Sequence, residues 1–299
     1  MTLIMSKFLL RLIGHLPAWL TGWFLAKRNN SRVLKQVSGL FANLLRNKEA
    51  TIESGVGKGL FINVGSSAAA YVLGTFKPDL QSFLSASVKE GSVFYDIGAN
   101  VGFFSLLAAR LTGPEGKVIS FEPLPANLVN LRENVRRNHF SNVQVLPWAL
   151  GATNEEQFFQ VSERPTWGKL KSVGPDAPDK YLSDIRVLVR RLDDLVTDGT
   201  IQPPNFVKMD VEGAEVEVIE GAQETLVRYR PTLVIELHGT GNRLTPIFAR
   251  IGYCTLPLEE RFGNVAEAHW NATVLAFPAE RVASLAAAQR LLHDLSFAA

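Results

Sequence analysis

The sequence predicts a doubly wound α/β fold, in which helices cover both faces of a mostly parallel sheet, preceded by an apolar N-terminal extension. Two patterns predict it. Short apolar runs, typical of strands that are buried on both faces, alternate with segments of helical periodicity. Several of these runs end directly at a polar residue, so polar side chains collect at the carboxyl ends of the strands. Ligands of open α/β sheets bind at that edge, which therefore indicates where the functional site lies.

Composition indicates an ordinary globular protein. Of the 299 residues, 46% are hydrophobic and 20% are charged, which allows a substantial core. The formal charge of +2 argues neither for nor against nucleic acid, but no basic stripe is interleaved with aromatic residues, so we expect no nucleic-acid partner. The single cysteine, Cys254, excludes an internal disulfide and a cysteine-based zinc site. It fits a reducing compartment, and we expect a cytoplasmic protein.

We divide the chain into three parts: an apolar N-terminal arm (1–50), a lead-in segment (51–91) and the main domain (92–299). In the arm, the longest uncharged run is fifteen residues, 12–26. A membrane-spanning helix needs roughly 20. Two interpretations stay open for residues 1–26: a segment peripheral to a membrane, or an arm packed on the domain or on a second subunit. A cleaved signal peptide has less support, since no small-x-small cleavage site is clear.

The lead-in segment ends with a helix, and the main domain begins with a glycine-rich turn. The strand 93–95 runs into Asp96, and a helix is expected over 103–111. Between them, Gly98 and Gly102 let the backbone turn tightly and pass close to a ligand. This Gly-x-x-x-Gly spacing differs from the Gly-x-Gly-x-x-Gly of dinucleotide sites. It suits an adenosyl ligand that lacks a pyrophosphate.

The next strand, 118–121, ends at Glu122, twenty residues past Gly102. An acid at that place accepts hydrogen bonds from ribose hydroxyls. A helix is expected from Leu124 to Val135, and a third strand over 143–148. The residues that we assign to cofactor binding are Asp96, Gly98, Asn100, Gly102, Phe103, Glu122, Trp148, Ala149 and Asp210.

Two later regions bear on function. Residues 162–186 have no sustained periodicity and contain three prolines, so we expect a long loop, either a lid that faces the substrate or a flexible insertion. The fourth strand ends at Asp210, and one helix is expected over 211–230. The fifth strand, 232–237, leads to His238. The remaining elements are expected to be strands at 253–256 and 272–277 and a final helix at 279–295.

Four motifs, in this order, resemble the FkbM family of S-adenosylmethionine-dependent methyltransferases. They are Asp-Ile-Gly-Ala-Asn-Val-Gly at 96–102, Phe-Glu-Pro at 121–123, Lys-Met-Asp-Val-Glu-Gly-Ala-Glu at 208–215 and Glu-Leu-His at 236–238. The resemblance covers roughly residues 71–277. It implies a seven-stranded methyltransferase sheet and methyl transfer, commonly to a hydroxyl oxygen of a sugar, a polyketide or a similar small molecule. Lys77-Pro78 departs from the acidic residue that often precedes proline in the family.

A sulfonium methyl group is already activated, so the protein mainly has to position an oxygen nucleophile and take its proton. His238 is the first candidate base, because a neutral imidazole can accept a proton near pH 7. Its alternative role is a hydrogen bond to loop backbone. Asp210 is the second candidate, with helix capping as its alternative. We interpret Glu212 and Glu215 mainly as acids favoured by a helix dipole.

The sequence also leaves open a divalent ion at the site and two other classes of function. Asp210, Glu212, Glu236 and His238 could hold a hard cation such as magnesium, but no spacing requires one, and we assign no metal ligand. A nicotinamide-dependent reductase would show a third glycine where Phe103 stands. A non-catalytic cofactor-binding or membrane-associated scaffold would keep the fold without methyl transfer. The acceptor's identity and any homo-oligomer are not predicted by the sequence.

Overall fold

The structure, a computed structural model, describes residues 49–65, 70–162, 168–172, 181–258, 265–266 and 268–281. The predictions for the N-terminal arm fall almost wholly outside these residues. Of the predicted final helix, the described part is a 3-10 turn, Ala279–Arg281. Within the described ranges, no helix combines the length and the apolar character needed to cross a membrane.

The strands, in chain order, are β1 (Glu49–Thr51), β2 (Phe61–Asn63), β3 (Val93–Ile97), β4 (Lys117–Phe121), β5 (Val143–Leu146), β6 (Trp148–Leu150), β7 (Glu155–Ser162), β8 (Gly168–Leu170), β9 (Tyr181–Arg190), β10 (Phe206–Met209), β11 (Thr232–Glu236), β12 (Tyr253–Pro257) and β13 (Thr273–Pro278). The helices are α1 (Ala70–Leu73), α2 (Pro78–Ser87), α3 (Phe103–Thr112), α4 (Pro125–Arg137), α5 (Leu192–Thr197), α6 (Glu215–Glu220), α7 (Gln223–Tyr229) and α8 (Gly241–Arg250).

The main sheet has seven strands in the order β12-β13-β11-β10-β3-β4-β5. From β11 to β5 the neighbours are parallel, whereas β13 is antiparallel to both β11 and β12. The chain fills one half of the sheet with β3, β4 and β5 and the other with β10 and β11. The strand order therefore reverses between β3 and β10, the place where open α/β sheets bind ligands. The predicted fold class and the seven-stranded sheet are confirmed.

Apolar clusters cover both faces of this sheet. On one face, Ile62 and Phe83 of the lead-in segment pack in the same cluster as Phe94 and Phe103. On the other face, Tyr95 joins residues of α5, α6 and α8. The lead-in segment thus completes the core on one side. Its position next to α3 also brings it close to the carboxyl edge of the sheet.

The predicted end of the third strand, 143–148, is wrong, because β5 ends at Leu146. Pro147 divides it, so that β5 belongs to the main sheet and β6 pairs in parallel with β9 of a second sheet. Proline has no N–H to donate to a strand neighbour and fixes its own φ, which explains the break. Trp148 and Ala149 accordingly lie in the second sheet.

The predicted long loop, 162–186, is also wrong where the structure describes it. β8 and the first part of β9 fall within it, and both strands belong to a four-stranded sheet in the order β6-β9-β7-β8. Phe159 and Val187 on its inner face pack against Val211 and Ala214, which follow β10. The periodicity is weak because none of the first six residues of β9 is buried, so no buried face alternates with an exposed one there. The second sheet therefore adjoins the loop after β10.

The predicted helix 211–230 is interrupted and forms α6 and α7. A Cβ atom on Gly221, between them, would lie 2.0 Å from the carbonyl oxygen of Gly151. The chain therefore needs glycine at this crossing. The carboxylate of Asp193 accepts hydrogen bonds from the N–H groups of Glu224 and Thr225, at 3.1 and 2.8 Å, and so satisfies the start of α7.

Candidate active site

The turn after β3 touches the end of β10. Gly98 has a φ of 75°, and a Cβ atom there would lie 1.8 Å from the carbonyl oxygen of Asp210. At Gly102, with a φ of 89°, a Cβ atom would lie 2.3 Å from Cδ1 of Leu131 on α4. Both positions therefore need glycine because of their backbone conformation and because of a close protein neighbour. The close approach to a ligand that the sequence suggested stays a prediction.

Lys208 and Asp96 form a buried ion pair beside this turn. The Nζ atom of Lys208 lies 3.1 Å from Oδ1 of Asp96 and donates a hydrogen bond of 3.2 Å to the carbonyl oxygen of Gly98. The hydroxyl of Ser105 donates to Oδ2 of Asp96 at 2.6 Å. Burial alone would lower the pKa of Lys208, but the charges of Asp96 and Asp210 raise it. The completely buried Asp96 thus helps to fix the turn.

Glu122 connects the turn to the end of β4. Its Oε2 atom accepts the N–H of Asn100 at 2.7 Å, and its Oε1 atom accepts the N–H of Leu124 at 2.9 Å. The side-chain amide of Asn127 adds a bond of 3.3 Å. Burial raises the pKa of Glu122 to about 7, although these bonds oppose the rise. A carboxylate has about four acceptor positions, so it retains capacity for a further donor.

His238 lies among carboxylates that follow β10. Its Nδ1 atom is 2.8 Å from Oε1 of Glu215, and its Nε2 atom is 3.2 Å from Oε2 of Glu212 and 4.0 Å from Oδ1 of Asp210. Glu215 is completely buried and also accepts the hydroxyl of Thr240 at 2.8 Å. One ring nitrogen is therefore held by a fixed carboxylate, while the other faces partly exposed side chains. This is the geometry of an oriented base.

The charges of this cluster shift its pKa values. Burial alone would lower the pKa of His238, but the hydrogen bond to Glu215 and the surrounding carboxylates raise it to about 9. Burial and the charge of Asp210 raise the pKa of Glu212 to about 8. Burial, the largest single effect, favours the neutral form of Asp210. The charges of Lys208, Lys77 and His238 and a hydrogen bond with Glu236 together outweigh it and hold that pKa below its ordinary value. These carboxylates therefore favour the imidazolium form of His238, whereas the sequence suggested a neutral imidazole.

The lead-in segment supplies side chains that sequence reasoning missed. Lys77, in a left-handed conformation with a φ of 47°, forms an ion pair with Glu236 at the end of β11. The ring of Tyr71 stacks on Phe103, with centroids 4.8 Å apart and an interplanar angle of 11°. Burial, and next the charge of Asp210, raise the pKa of the Tyr71 hydroxyl. No local pattern signals these contacts, because Lys77 and Glu236 are 159 residues apart.

Most predicted site residues meet at the carboxyl edge of the main sheet. Trp148 and Ala149 are the exceptions. They lie at the junction with the second sheet and contact residues outside the glycine turn. The guanidinium of Arg190 lies 5.1 Å from the centroid of the Trp148 ring. Ala149 packs in one apolar cluster with Leu124 and Val211. The cofactor contacts assigned to both residues stay predictions.

Three side chains of this edge could hold a metal ion. One carboxylate oxygen each of Asp210 and Glu212 and a ring nitrogen of His238 lie within 4.8 Å of one another. Oxygen and imidazole ligands suit several divalent ions. A ring nitrogen that binds a metal cannot accept a proton at the same time. The cluster therefore supports either a metal ligand or a base at His238, and the two uses exclude each other.

The fold and this edge define a class of protein. A glycine turn stands where the strand order reverses, and an acid follows the neighbouring strand, as in α/β proteins that bind an adenosyl group. The histidine–carboxylate pair at the same edge supplies a way to accept a proton. Together they describe an enzyme that uses such a cofactor.

The chain matches the family model of the methyltransferase FkbM domain over residues 96–254. This is more than half of its length, so the chain belongs to the FkbM methyltransferase family. The predicted resemblance and the predicted enzyme class, a methyltransferase, are confirmed.

Three curated relatives illustrate the family. Methyltransferase 1 of Beauveria bassiana is 27% identical over 169 residues, which are 51% of this chain and 67% of that protein. Hexuronic acid methyltransferase AglP of Haloferax volcanii is 25% identical over 162 residues, 54% of this chain and 62% of that protein. The 2-O-methyltransferase NoeI of Sinorhizobium fredii is 27% identical over 191 residues, 58% of this chain and 76% of that protein. The chain thus spans about two thirds of the length of these relatives.

Proposed function

We propose that the protein transfers a methyl group from S-adenosylmethionine to a hydroxyl oxygen of a small molecule in the cytoplasm. The observation that carries this proposal is the position of His238. Its Nδ1 atom is held 2.8 Å from buried Glu215, and its Nε2 atom faces Asp210 and Glu212 at the edge of the glycine turn. A base that is oriented in this way can take the proton of the attacking hydroxyl.

The polar groups of the edge fit S-adenosylmethionine by their chemistry. When bound, it supplies a methyl group that is already activated by a sulfonium centre. Glu122 offers carboxylate oxygens next to the turn, which suit the ribose hydroxyls. Asp210, which is ionised at neutral pH, suits a positively charged group. The chain's own task is to bind both substrates, orient the hydroxyl, exclude water and receive its proton at His238 Nε2.

The names of the relatives support a small hydroxylated acceptor. AglP is a hexuronic acid methyltransferase, NoeI is a 2-O-methyltransferase, and a further relative of Streptomyces tacrolimicus, 25% identical, is the 31-O-demethyl-FK506 methyltransferase FkbM. A hexuronic acid and 31-O-demethyl-FK506 are thus named as substrates of relatives. Oxygen is the methylated atom that two of these names give. We therefore propose a hydroxyl of a sugar, a polyketide or a comparable small molecule.

A divalent cation is a second occupant that the same cluster supports. Asp210, Glu212 and His238 would hold it, and it would lower the pKa of a bound hydroxyl. In that arrangement His238 is a ligand and a carboxylate receives the proton. Chelation separates this arrangement from the base proposal.

The test is a screen with labelled S-adenosylmethionine, in which metabolite extracts are compared with and without the enzyme. We expect label in a hydroxylated product. The His238→Ala variant should lose about 10²- to 10⁴-fold in turnover with its S-adenosylmethionine affinity nearly unchanged. A folded wild-type protein that binds no S-adenosylmethionine would overturn the proposal. A loss of only a few-fold would assign His238 a structural role.

For residues 1–26 the sequence supports two proposals, contact with a membrane surface and packing on protein, the second including a homo-oligomer. Sedimentation with anionic liposomes separates them. Under the first proposal the full-length chain sediments and a chain that starts at Asn30 does not. Under the second both stay in the supernatant. The oligomeric mass then falls in the shortened chain if the arm packs on a second subunit.

A further inference from the structure

Trp270, which precedes β13, lies at the rim of the candidate active site. Its ring is edge-on to the ring of His238, with centroids 5.2 Å apart and an interplanar angle of 84°. The N–H of Gly239 donates to the carbonyl oxygen of Trp270 at 2.9 Å. A Cβ atom on Gly239 would lie 2.9 Å from Cδ1 of the indole. One edge of the indole is therefore packed against the turn that carries His238.

The rest of this side chain is open. Trp270 is 43% exposed. A single exposed apolar side chain on a surface needs no explanation, but this one touches the proposed base. Its backbone is tied to the turn by a hydrogen bond and its indole packs on Gly239, so it presents an apolar ring at this place. With ring centroids 5.2 Å apart, the indole lies beside the imidazole that the acceptor hydroxyl has to reach.

Polar groups complement this plane. The side chains of Asp210 and Glu212 are 23% and 22% exposed, and both point at Nε2 of His238. A carboxyl group accepts a hydrogen bond from a hydroxyl when ionised and can also donate one when protonated. The carboxyl groups of Asp210 and Glu212 can therefore bind a hydroxyl group of the acceptor whether they are ionised or protonated. An apolar plane next to hydroxyl-binding carboxyls suits a molecule with a C–H face and a hydroxylated edge.

The charges of the described side chains favour a neutral molecule. The carboxyl groups at this end of the sheet belong to Asp96, Glu122, Asp210, Glu212, Glu215 and Glu236, and the cationic groups to Lys77, Lys208 and His238. Lys208 pairs with Asp96, and Lys77 pairs with Glu236. Asp210 stands near the open face of His238, and its negative charge would repel a carboxylate or phosphate on the acceptor.

We infer that Trp270 is a specificity-determining residue of an acceptor subsite, and that the acceptor is a neutral hydroxylated ring such as a pyranoside. Its C–H face stacks on the indole, and its hydroxyls bind Asp210 and Glu212 beside His238. This inference rests on the proposed methyl transfer and narrows its substrate class. The sequence offered no signal for it, because Trp270 is 32 residues beyond His238.

The test uses saturation-transfer NMR with four neutral methyl pyranosides (gluco, galacto, manno and rhamno) in the presence of S-adenosylhomocysteine. Methyl glucuronide is the charged comparison. We expect ring C–H protons of at least one neutral pyranoside to be saturated, and methyl glucuronide to give a weaker signal. Trp270→Ala should weaken that binding about tenfold or more, and Trp270→Phe should retain part of it.

Tyr229→Ala is the matched control, since Tyr229 is a comparably exposed aromatic residue, 36%, that precedes the opposite end of β11. It should leave pyranoside binding unchanged. Calorimetry with S-adenosylmethionine on each variant shows whether the fold and the cofactor site persist. Unchanged pyranoside binding in Trp270→Ala, or no neutral pyranoside bound by a wild-type protein that does bind S-adenosylmethionine, would overturn the subsite. Absent S-adenosylmethionine binding in the wild type would instead overturn the proposed function.

Discussion

Glu215 and His238 come from two different elements, the start of α6 and the end of β11, and meet in a hydrogen bond of 2.8 Å. The carboxylate is completely buried, and it also accepts hydrogen bonds from the N–H of Gly213 at 3.0 Å and from the hydroxyl of Thr240 at 2.8 Å, which hold it in place. The pairing of Glu215 with His238 fixes the orientation of the ring and favours its protonated form.

The first prediction concerns pH. Because the pKa of His238 is raised to about 9, its neutral form is scarce below that pH. If His238 is the base, kcat/KM should increase with pH along a curve whose midpoint lies near 9. Activity should be lost as the pH falls below that midpoint. Glu215→Gln removes the leading raising contribution, so the midpoint should move down towards the ordinary value of about 6.5. The pH profile of labelled methyl transfer measures both.

Glu217→Gln serves as the control for this shift. Glu217 lies on the same helix but contacts Arg243, at 3.4 Å. Its midpoint should equal that of the wild type. An unchanged midpoint in a folded Glu215→Gln variant would remove His238 from the role of base.

The second prediction concerns Glu122. Since its two oxygens hold the N–H groups of Asn100 and Leu124, replacement by alanine would also loosen the turn. Glu122→Gln is the milder change. It should weaken S-adenosylmethionine binding by about 1.5 to 3 kcal/mol, the value of a hydrogen bond to a charged group. Calorimetry measures it, with Glu133→Gln as control, since Glu133 is partly exposed and pairs with Arg136. Unchanged affinity in the folded variant would contradict the ribose assignment.

The third prediction separates the base from the metal arrangement. With His238 as base, dialysis against a chelator should leave methyl transfer unchanged. Asp210→Asn should then weaken S-adenosylmethionine binding, because a negative charge is lost beside a cationic ligand. If activity disappears on chelation and returns with magnesium or manganese, the cluster Asp210, Glu212 and His238 is a metal site. Steady-state assays at fixed pH decide between them.

The fourth prediction concerns stability. The side chains of Lys208 and Asp96 are 6% and 0% exposed, so Lys208→Met would leave an unpaired buried carboxylate. We expect a loss of roughly 3 to 5 kcal/mol in the free energy of unfolding. The double variant Lys208→Met with Asp96→Asn should recover part of it. Urea unfolding measures these values. Lys171→Met, which breaks an exposed ion pair with Asp184, should change stability by less than about 1 kcal/mol.

The double variant also tests the reason given for the loss. Should it be as unstable as Lys208→Met, the cost would lie in lost packing and hydrogen bonds of the lysine, such as the one to Gly98, and not in an unpaired charge.

The order of elements and the edge that carries the site were predictable, because both depend on local patterns. Buried parallel strands are short apolar runs, and Glu122, Asp210 and His238 stand at or just past their ends. Asp96, predicted to follow its strand, lies within β3, one residue before its end. The interruptions of the predicted third strand and of the predicted helix 211–230 were not predictable. The split at Pro147 and the break at Gly221 depend on which strand or carbonyl lies opposite, and this is set by tertiary contacts.

The residues that meet at the candidate site were predictable from the sequence, but the charges around them were not. His238 was found from its place after a strand, yet its protonation depends on Glu215. From the sequence alone, an acid at position 215 is explained by the dipole of the helix that begins there, so its pairing with His238 gives no signal. Lys77, Tyr71 and Trp270 reach the site from segments without a motif. Their partners are distant in sequence, so only the folded chain brings them together.

The ion pair between Lys77 and Glu236 has a consequence for how the enzyme is made. It closes a loop of 159 residues and joins an early part of the chain to one of the last strands of the sheet. Contacts of such long range form late in folding, because the entropy of loop closure must first be offset by other contacts. During synthesis, the ribosome therefore releases Lys77 long before its partner exists. The candidate active site is completed only after β11 has been released and has joined the sheet.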